Sequence, residues 1–284
     1  MEDSGGEFLG TLFARPPVAS RALLRKHGLV GWDAWIAVLD SGISGEITPI
    51  EAQDFVGTGI VDTTPQKHGT SVARIIKHYA PGAQLYVAKI GNERPMEGAL
   101  LKALEWAADR RANIINISSG FRRKGCRGQC DLGELIDRIA EETSIVIVVA
   151  AGNGGPKEDT ITCPGCAKNA LTVGAIDPHG NLAHYSGRGV PGWLKPNLLA
   201  PGEVVINDVP CYGTSYAAPI VSGILAATLI RFSSGLEAAH ALQSTARLLG
   251  LPRHYEGFGV INLEAYLEVA LKRDRADSAD KRHG

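Results

Sequence analysis

No charge of one sign dominates this chain. Its 284 residues carry 29 Lys and Arg against 30 Asp and Glu, a formal net charge of −1, whereas a nucleic-acid or anionic-membrane binder shows a basic excess. Long apolar runs are missing as well. The two best, 145–151 and 217–230, fall short of the ~20 residues that a membrane-spanning helix needs. The N-terminus places Glu2, Asp3 and Glu7 around a brief apolar stretch, without the cationic start of a secretory signal. The expectation is a partner that is neither nucleic acid nor membrane, and a cytoplasmic location, or a secreted one if the chain is a trimmed form. No H-E-x-x-H, no D-x-[DN]-x-[DN]-G loop and no G-x-S-x-G occurs. These absences count against a zincin, an EF-hand and a lipase or esterase.

Glycine is the plentiful residue. Its 34 copies, about 12% against the usual ~7%, gather at the ends of apolar runs rather than in repeats, so they mark tight turns. With 44% hydrophobic and 21% charged residues the composition is globular, and a chain of this length buries roughly 75% of its unfolded surface. Short apolar runs at 35–39, 85–90, 114–117, 145–151 and 171–176 predict parallel strands buried on both faces. Helical periodicity covers 68–79, 96–110, 132–142, 215–232, 236–248 and 263–272. Strands alternating with helices predict an α/β fold of three layers, α/β/α, around a central, mostly parallel sheet. One domain is expected over 28–272. An N-terminal extension over 1–27 and a charged tail over 273–284 lack periodicity and are expected to be mobile.

In such a sheet the ligand lies beyond the carboxyl ends of the strands. Asp40 ends the run WIAVLD, Ser118, Ser119 and Gly120 end INISSG, and Asn153 follows IVIVVAAG, while His68 and Ser215 open helical stretches. A serine hydroxyl becomes a competent nucleophile when a base takes its proton and a carboxylate holds that base in one tautomer. Ser215, His68 and Asp40 are those three residue types. Charge developing on an attacked carbonyl needs preorganised donors, and the Asn153 amide and the Ser215 N–H at a helix start supply them. Gly213, Ala217, Ala218 and Gly223 let the serine's helix pack closely, and Pro219 is placed in its first turn, where no N–H partner is needed. Each residue also has a plainer reading, Asp40 in a turn, His68 at an ordinary helix start, Ser215 as an N-cap and Asn153-Gly154 as a turn dipeptide.

Four blocks in order outweigh those readings, and they resemble the subtilisin-like serine proteases: IAVLDSGI at 36–43, HGTSVA at 68–73, VVAAGNGG at 148–155 and GTSYAAPIVSG at 213–223. The likeness continues through YSGRG at 185–189, KPNLLAPG at 195–202 and GFGVIN at 257–262. Acid, base, serine is the order of subtilisin. The resemblance implies a serine endopeptidase that acts through an acyl-enzyme, with Asp40, His68 and Ser215 as triad and Asn153 as oxyanion donor, on a protein or peptide held as an added β-strand. It also implies Ser118, Ser119 and Gly120 as one wall of the specificity pocket, Ala150, Ala151 and Gly152 as the other, and Thr162 near its floor. Glu93 and Met96 would mark the segment that pairs with the substrate backbone. No cofactor is required for such chemistry; structural calcium is frequent in the family, and the oligomeric state is left open. Two alternatives stand beside this reading, a processing peptidase dedicated to one precursor and a non-catalytic peptide-binding module, although the intact triad weighs against the second.

The chain departs from the family pattern in three places. Arg74 stands where a glycine often follows HGTxVA. Only about 27 residues precede the domain, so the expectation is either a protein that folds without a long chaperoning propeptide or a trimmed form, and 13–18 (FARPPV) is a candidate inhibitory strand whose prolines would resist cleavage. The third is the cysteines, five in number, so at least one is unpaired. Cys126 and Cys130 follow the pocket wall, and Cys163 and Cys166 flank Pro164-Gly165 near the pocket floor, so the two pairs are candidate neighbours. Disulfides, free thiols and a four-thiolate zinc site all stay open, since C-x2-C is a common zinc half-site but C-x3-C is less usual. Cys211 is read as the odd thiol, and Arg122, Arg123, Lys124 and Arg127 as a solvated basic loop.

Overall fold

The structure, a computed structural model, describes residues 19–280, with side chains through residue 272. Seven parallel strands form one sheet in the order β2-β3-β1-β4-β5-β6-β7. They are β1 Trp35–Asp40, β2 Glu51–Asp54, β3 Gln84–Lys89, β4 Ile114–Ile117, β5 Val146–Ala150, β6 Leu171–Ile176 and β7 Leu198–Pro201. Alternation along a strand sends successive side chains to opposite faces, so Ile36 and Val38 of β1 enter one apolar layer and Ala37 and Leu39 the other. The first layer is covered by α1 Arg21–Lys26, α2 His68–Tyr79, α5 Thr214–Thr228, α6 Gly235–Ser244 and α8 Leu263–Asp280; the second is covered by α3 Glu97–Asp109 and α4 Asp131–Glu142. This is the three-layer α/β/α fold. A short helix, α7 Arg253–Glu256, a 3-10 turn at Leu229–Arg231 and an antiparallel hairpin, β8 Glu203–Ile206 with β9 Val209–Tyr212, complete the elements among the described residues.

The strand order explains where a site belongs. β1 has β3 on one side and β4 on the other, so the chain builds outward from β1 in one direction and then returns to build in the opposite one. Connections diverge at the carboxyl ends of β1 and β4, which opens a crevice there.

Several elements differ from the sequence expectation, each for a physical reason. β2 reads EAQD because it is a partly exposed edge strand, and β7, though buried and apolar, is only four residues long, too short a run to stand out in the sequence. Within the segment assigned to an extension, α1 packs into the core through Leu24, and the Tyr79 hydroxyl donates to the Ala19 carbonyl (3.1 Å). Ala19 and Leu24 thus belong to the first apolar layer. The candidate inhibitory strand at 13–18 lies outside the described residues. α8 runs on to Asp280, through most of the charged stretch set apart as a tail. Pro219 is the sixth residue of α5 rather than part of its first turn, so its ring removes the N–H that the Ser215 carbonyl would otherwise receive. Thr214–Arg231 is apolar and long enough to cross a membrane by composition, yet 78% of it is buried here; it is the central core helix.

Candidate active site

The crevice at the ends of β1 and β4 is a cleft of about 990 Å³ whose lining includes Asp40, His68, Ser118, Ser119, Gly120 and Ser215. Asp40 is the last residue of β1 and is buried. Its Oδ1 accepts from the Ser41 N–H (2.8 Å) and lies 2.7 Å from His68 Nδ1. His68 is the first residue of α2. Gly69 next to it is required by close approach, since a Cβ there would fall 2.4 Å from the Gly42 carbonyl oxygen and 3.2 Å from Asp40 Cβ. That contact brings the helix start against the strand end. Burial alone would lower the imidazole's pKa, but the charge and hydrogen bond of Asp40, aided by the charge of Asp62, outweigh it and raise the value above 6.5.

Ser215 is the second residue of α5 and half-buried. Its hydroxyl donates to the Ser118 carbonyl (2.8 Å), so the proton must swing toward His68 before attack, a rotation that resting enzymes commonly require. Asn153, in the loop after β5, is exposed, and its Oδ1 accepts from both the N–H (2.9 Å) and the hydroxyl (3.0 Å) of Thr214. With Oδ1 held inside, the amide N–H2 is the end left for a ligand.

The subtilase family model, Peptidase_S8, matches residues 31–259. This chain belongs to the subtilase family. It is a serine endopeptidase. It is 30% identical over 273 residues to Subtilisin DY of Bacillus licheniformis, covering 88% of this chain and 96% of that one. Subtilisin E of Bacillus subtilis (strain 168) is also 30% identical, over 267 residues, covering 85% and 68% respectively. Among solved structures, MycP1 with its N-terminal propeptide removed has a TM-score of 0.73 at 27% identity, over 89% of this chain and 97% of that one. The prenylagaramide maturation protease PagA shares the fold at a TM-score of 0.72 and 22% identity, over 88% and 98%.

The structure brings Gly120, Gly152 and Thr162 together. A Cβ built on Gly120 would lie 2.8 Å from Thr162 Oγ1, and one on Gly152 would lie 2.5 Å from Thr162 Cγ2, so Thr162 stands between the two glycine-bearing segments. Ala150 and Ala151, however, are buried in the two core layers, which leaves only their backbone for a ligand. Glu93 lines the cleft whereas Met96 does not. Their segment is a tight turn closed by a Gly91–Pro95 bridge, and the Met96 N–H is spent on the Ile90 carbonyl (2.8 Å). Among the described residues no strand is assigned between β3 and α3.

Three supporting residues were missed. Asp62, buried in the loop before α2, accepts from Ser41 Oγ (3.1 Å), from the Thr64 N–H and hydroxyl (3.2 and 2.7 Å) and from the Thr70 N–H and hydroxyl (both 3.0 Å). Thr64 Oγ1 in turn accepts the His68 N–H (2.9 Å), so this carboxylate braces the start of α2. Thr214 Oγ1 accepts the Gly152 N–H (3.0 Å) while donating to Asn153. Buried Asn116 accepts from Ser222 of α5 (2.8 Å) and donates to Ser118 Oγ (3.0 Å), which pins the pocket wall to the nucleophile's helix. Arg74 points outward and donates to Asn207 (3.1 Å) at the turn between β8 and β9. The basic loop is largely paired, Arg123 with Glu97 and Arg127 with Asp159 (2.7 Å), while Arg122 lines the cleft.

Proposed function

We propose that Ser215 is the nucleophile of this endopeptidase, His68 its general base and acid, Asp40 the carboxylate that orients His68, and Asn153 the oxyanion donor. The observation that carries the reading is the 2.7 Å contact between His68 Nδ1 and Asp40 Oδ1 beside Ser215 in one cleft. With Nδ1–H held by the carboxylate, Nε2 is free to accept the serine proton. Attack on a peptide carbonyl forms a tetrahedral oxyanion, which the Asn153 amide and the Ser215 N–H meet. His68 then passes the proton to the leaving amine, and water releases the acyl group by the same steps in reverse order.

A restricted substrate set, down to one precursor, is the narrower reading. The tight Gly91–Pro95 turn supports recognition that falls more heavily on side chains at the cleft, among them Glu93, Arg94 and Arg122. Labelling by a fluorophosphonate, compared with Ser215→Ala, tests the nucleophile. We expect one label in the first and none in the second; equal labelling of both refutes the assignment. Digestion of a broad peptide library separates a general protease from a dedicated one, because the latter leaves most members intact.

A further inference from the structure

Four thiols from two loops meet behind the pocket wall. Cys126 Sγ lies 3.2 Å from Cys166 Sγ and 3.6 Å from Cys130 Sγ, and Cys130 Sγ lies 3.4 Å from Cys163 Sγ. The sulfurs of Cys126, Cys163 and Cys166 are all within 4.8 Å of one another. None of these separations is a bond, which would be ~2.05 Å, and each thiol is free. Four sulfurs at ~2.3 Å from a zinc ion form a tetrahedron with edges of about 3.8 Å. The observed contacts need to open by only about 0.5 Å to reach that shape, with Cys130 drawn toward Cys166.

The surroundings suit a thiolate-bound cation. Cys130 is the N-cap of the twelve-residue α4 and makes no side-chain cap bond, so the positive end of that helix faces its sulfur. Gly128 has φ +86, and a Cβ there would lie 3.0 Å from both Ala167 Cα and the Cys166 carbonyl oxygen, so the loops touch backbone to backbone. One zinc ion with four thiolates carries two excess negative charges. Arg127, beside the site, donates to the Cys126 carbonyl (3.3 Å).

We propose that Cys126, Cys130, Cys163 and Cys166 bind one zinc ion as a structural staple. Four protein ligands leave no open position for chemistry, so the ion's role is to join the 126–130 loop to the 163–166 turn. Both loops belong to the substrate pocket. Phe121, next to Gly120, exchanges backbone hydrogen bonds with Cys163 (2.7 and 2.9 Å), and Cys163 follows Thr162. The ion would fix one pocket wall against the floor. This inference goes beyond the proteolytic reading and does not rest on it.

The test is elemental analysis of the full chain carrying Ser215→Ala, to prevent self-digestion, purified anaerobically with a non-thiol reductant and no chelator. We expect one zinc per chain, loss of it in the Cys126→Ser/Cys166→Ser double variant, and retention of it in Cys211→Ser. Replacement by cobalt should give the visible absorption of a tetrahedral tetrathiolate. If the double variant does not fold, the zinc count and cobalt spectrum of the parent protein still decide. In the active enzyme, stripping the ion should lower the melting temperature and raise KM more than it lowers kcat. Four findings would each overturn the proposal: a folded protein that holds no zinc and takes up none when supplied with it, iron in its place, native disulfides joining these cysteines, or zinc retained by the double variant.

Discussion

Replacing Thr214 by valine keeps the shape of the side chain and removes its hydroxyl, which isolates one link in the proposed oxyanion site. That hydroxyl is fully buried, accepts the Gly152 N–H and donates to Asn153 Oδ1. Its loss leaves Asn153 held by the Thr214 N–H alone (2.9 Å). The donor itself is worth ~2.7–4 kcal/mol of transition-state stabilisation, a range measured in subtilisin. Weakening one of the two bonds that aim it should cost about 1 kcal/mol of that, a roughly 5-fold fall in kcat. The unpaired Gly152 N–H adds a stability loss of about 1–3 kcal/mol. Steady-state kinetics on a peptide substrate, in wild type, Thr214→Val, Asn153→Ala and the double variant, form a cycle. Asn153→Ala alone should lose about 10²–10³ in kcat, and Thr214→Val should cost almost nothing further in that background. An equal loss in both backgrounds refutes the idea that Thr214 works through Asn153.

Because the Asp40 carboxylate raises the pKa of His68, and the base must be neutral to accept a proton, the acid limb of kcat/KM should lie above pH 6.5 and move down in Asp40→Asn. The sign for stability is opposite: a raised folded pKa makes the pair stabilising below the free imidazole value and removes that contribution as pH rises through the folded one. Wild type and Asp40→Asn should therefore differ more in melting temperature at pH 5.5 than at pH 8.5. Asp62→Ala strands two amides and three hydroxyls in a buried site. A loss of about 3–5 kcal/mol is expected, read by denaturant unfolding of the Ser215→Ala form, with Asp62→Asn losing less. Asn116→Leu removes the side-chain partner shared by Ser118 and Ser222; about 2–4 kcal/mol should be lost, and KM should rise more than kcat falls as the pocket wall loosens.

Those supporting contacts mark the boundary of what the amino-acid sequence discloses. β1, β4, β5 and β6 were readable because strands covered on both faces are written as nearly continuous apolar runs, whereas EAQD at an exposed edge carries no such mark. The candidate triad was readable for a similarly local reason. Each reactive group needs small neighbours where a helix start meets a strand end, so Gly69 and Gly213 sit beside His68 and Thr214-Ser215. The first turn assigned to Pro219 failed because helical periodicity does not fix where α5 begins.

The residues that escaped detection share another property, a function defined by partners far away in the chain. Thr214 meets Asn153 across 61 positions and Ser222 meets Asn116 across 106, and neither pair leaves a pattern in its own neighbourhood. Asp62 stands in a loop as an acid before two threonines, indistinguishable from a solvated turn until folding closes Ser41 and Thr70 around it. Polar groups of this kind cannot be moved singly. Once buried, each carboxylate, amide and hydroxyl requires its complement, so their positions follow from the strand order that brings β1 and β4 side by side. The reactive residues can therefore be read one block at a time, while the framework that aims them is a property of the topology and becomes visible only when the crevice is built.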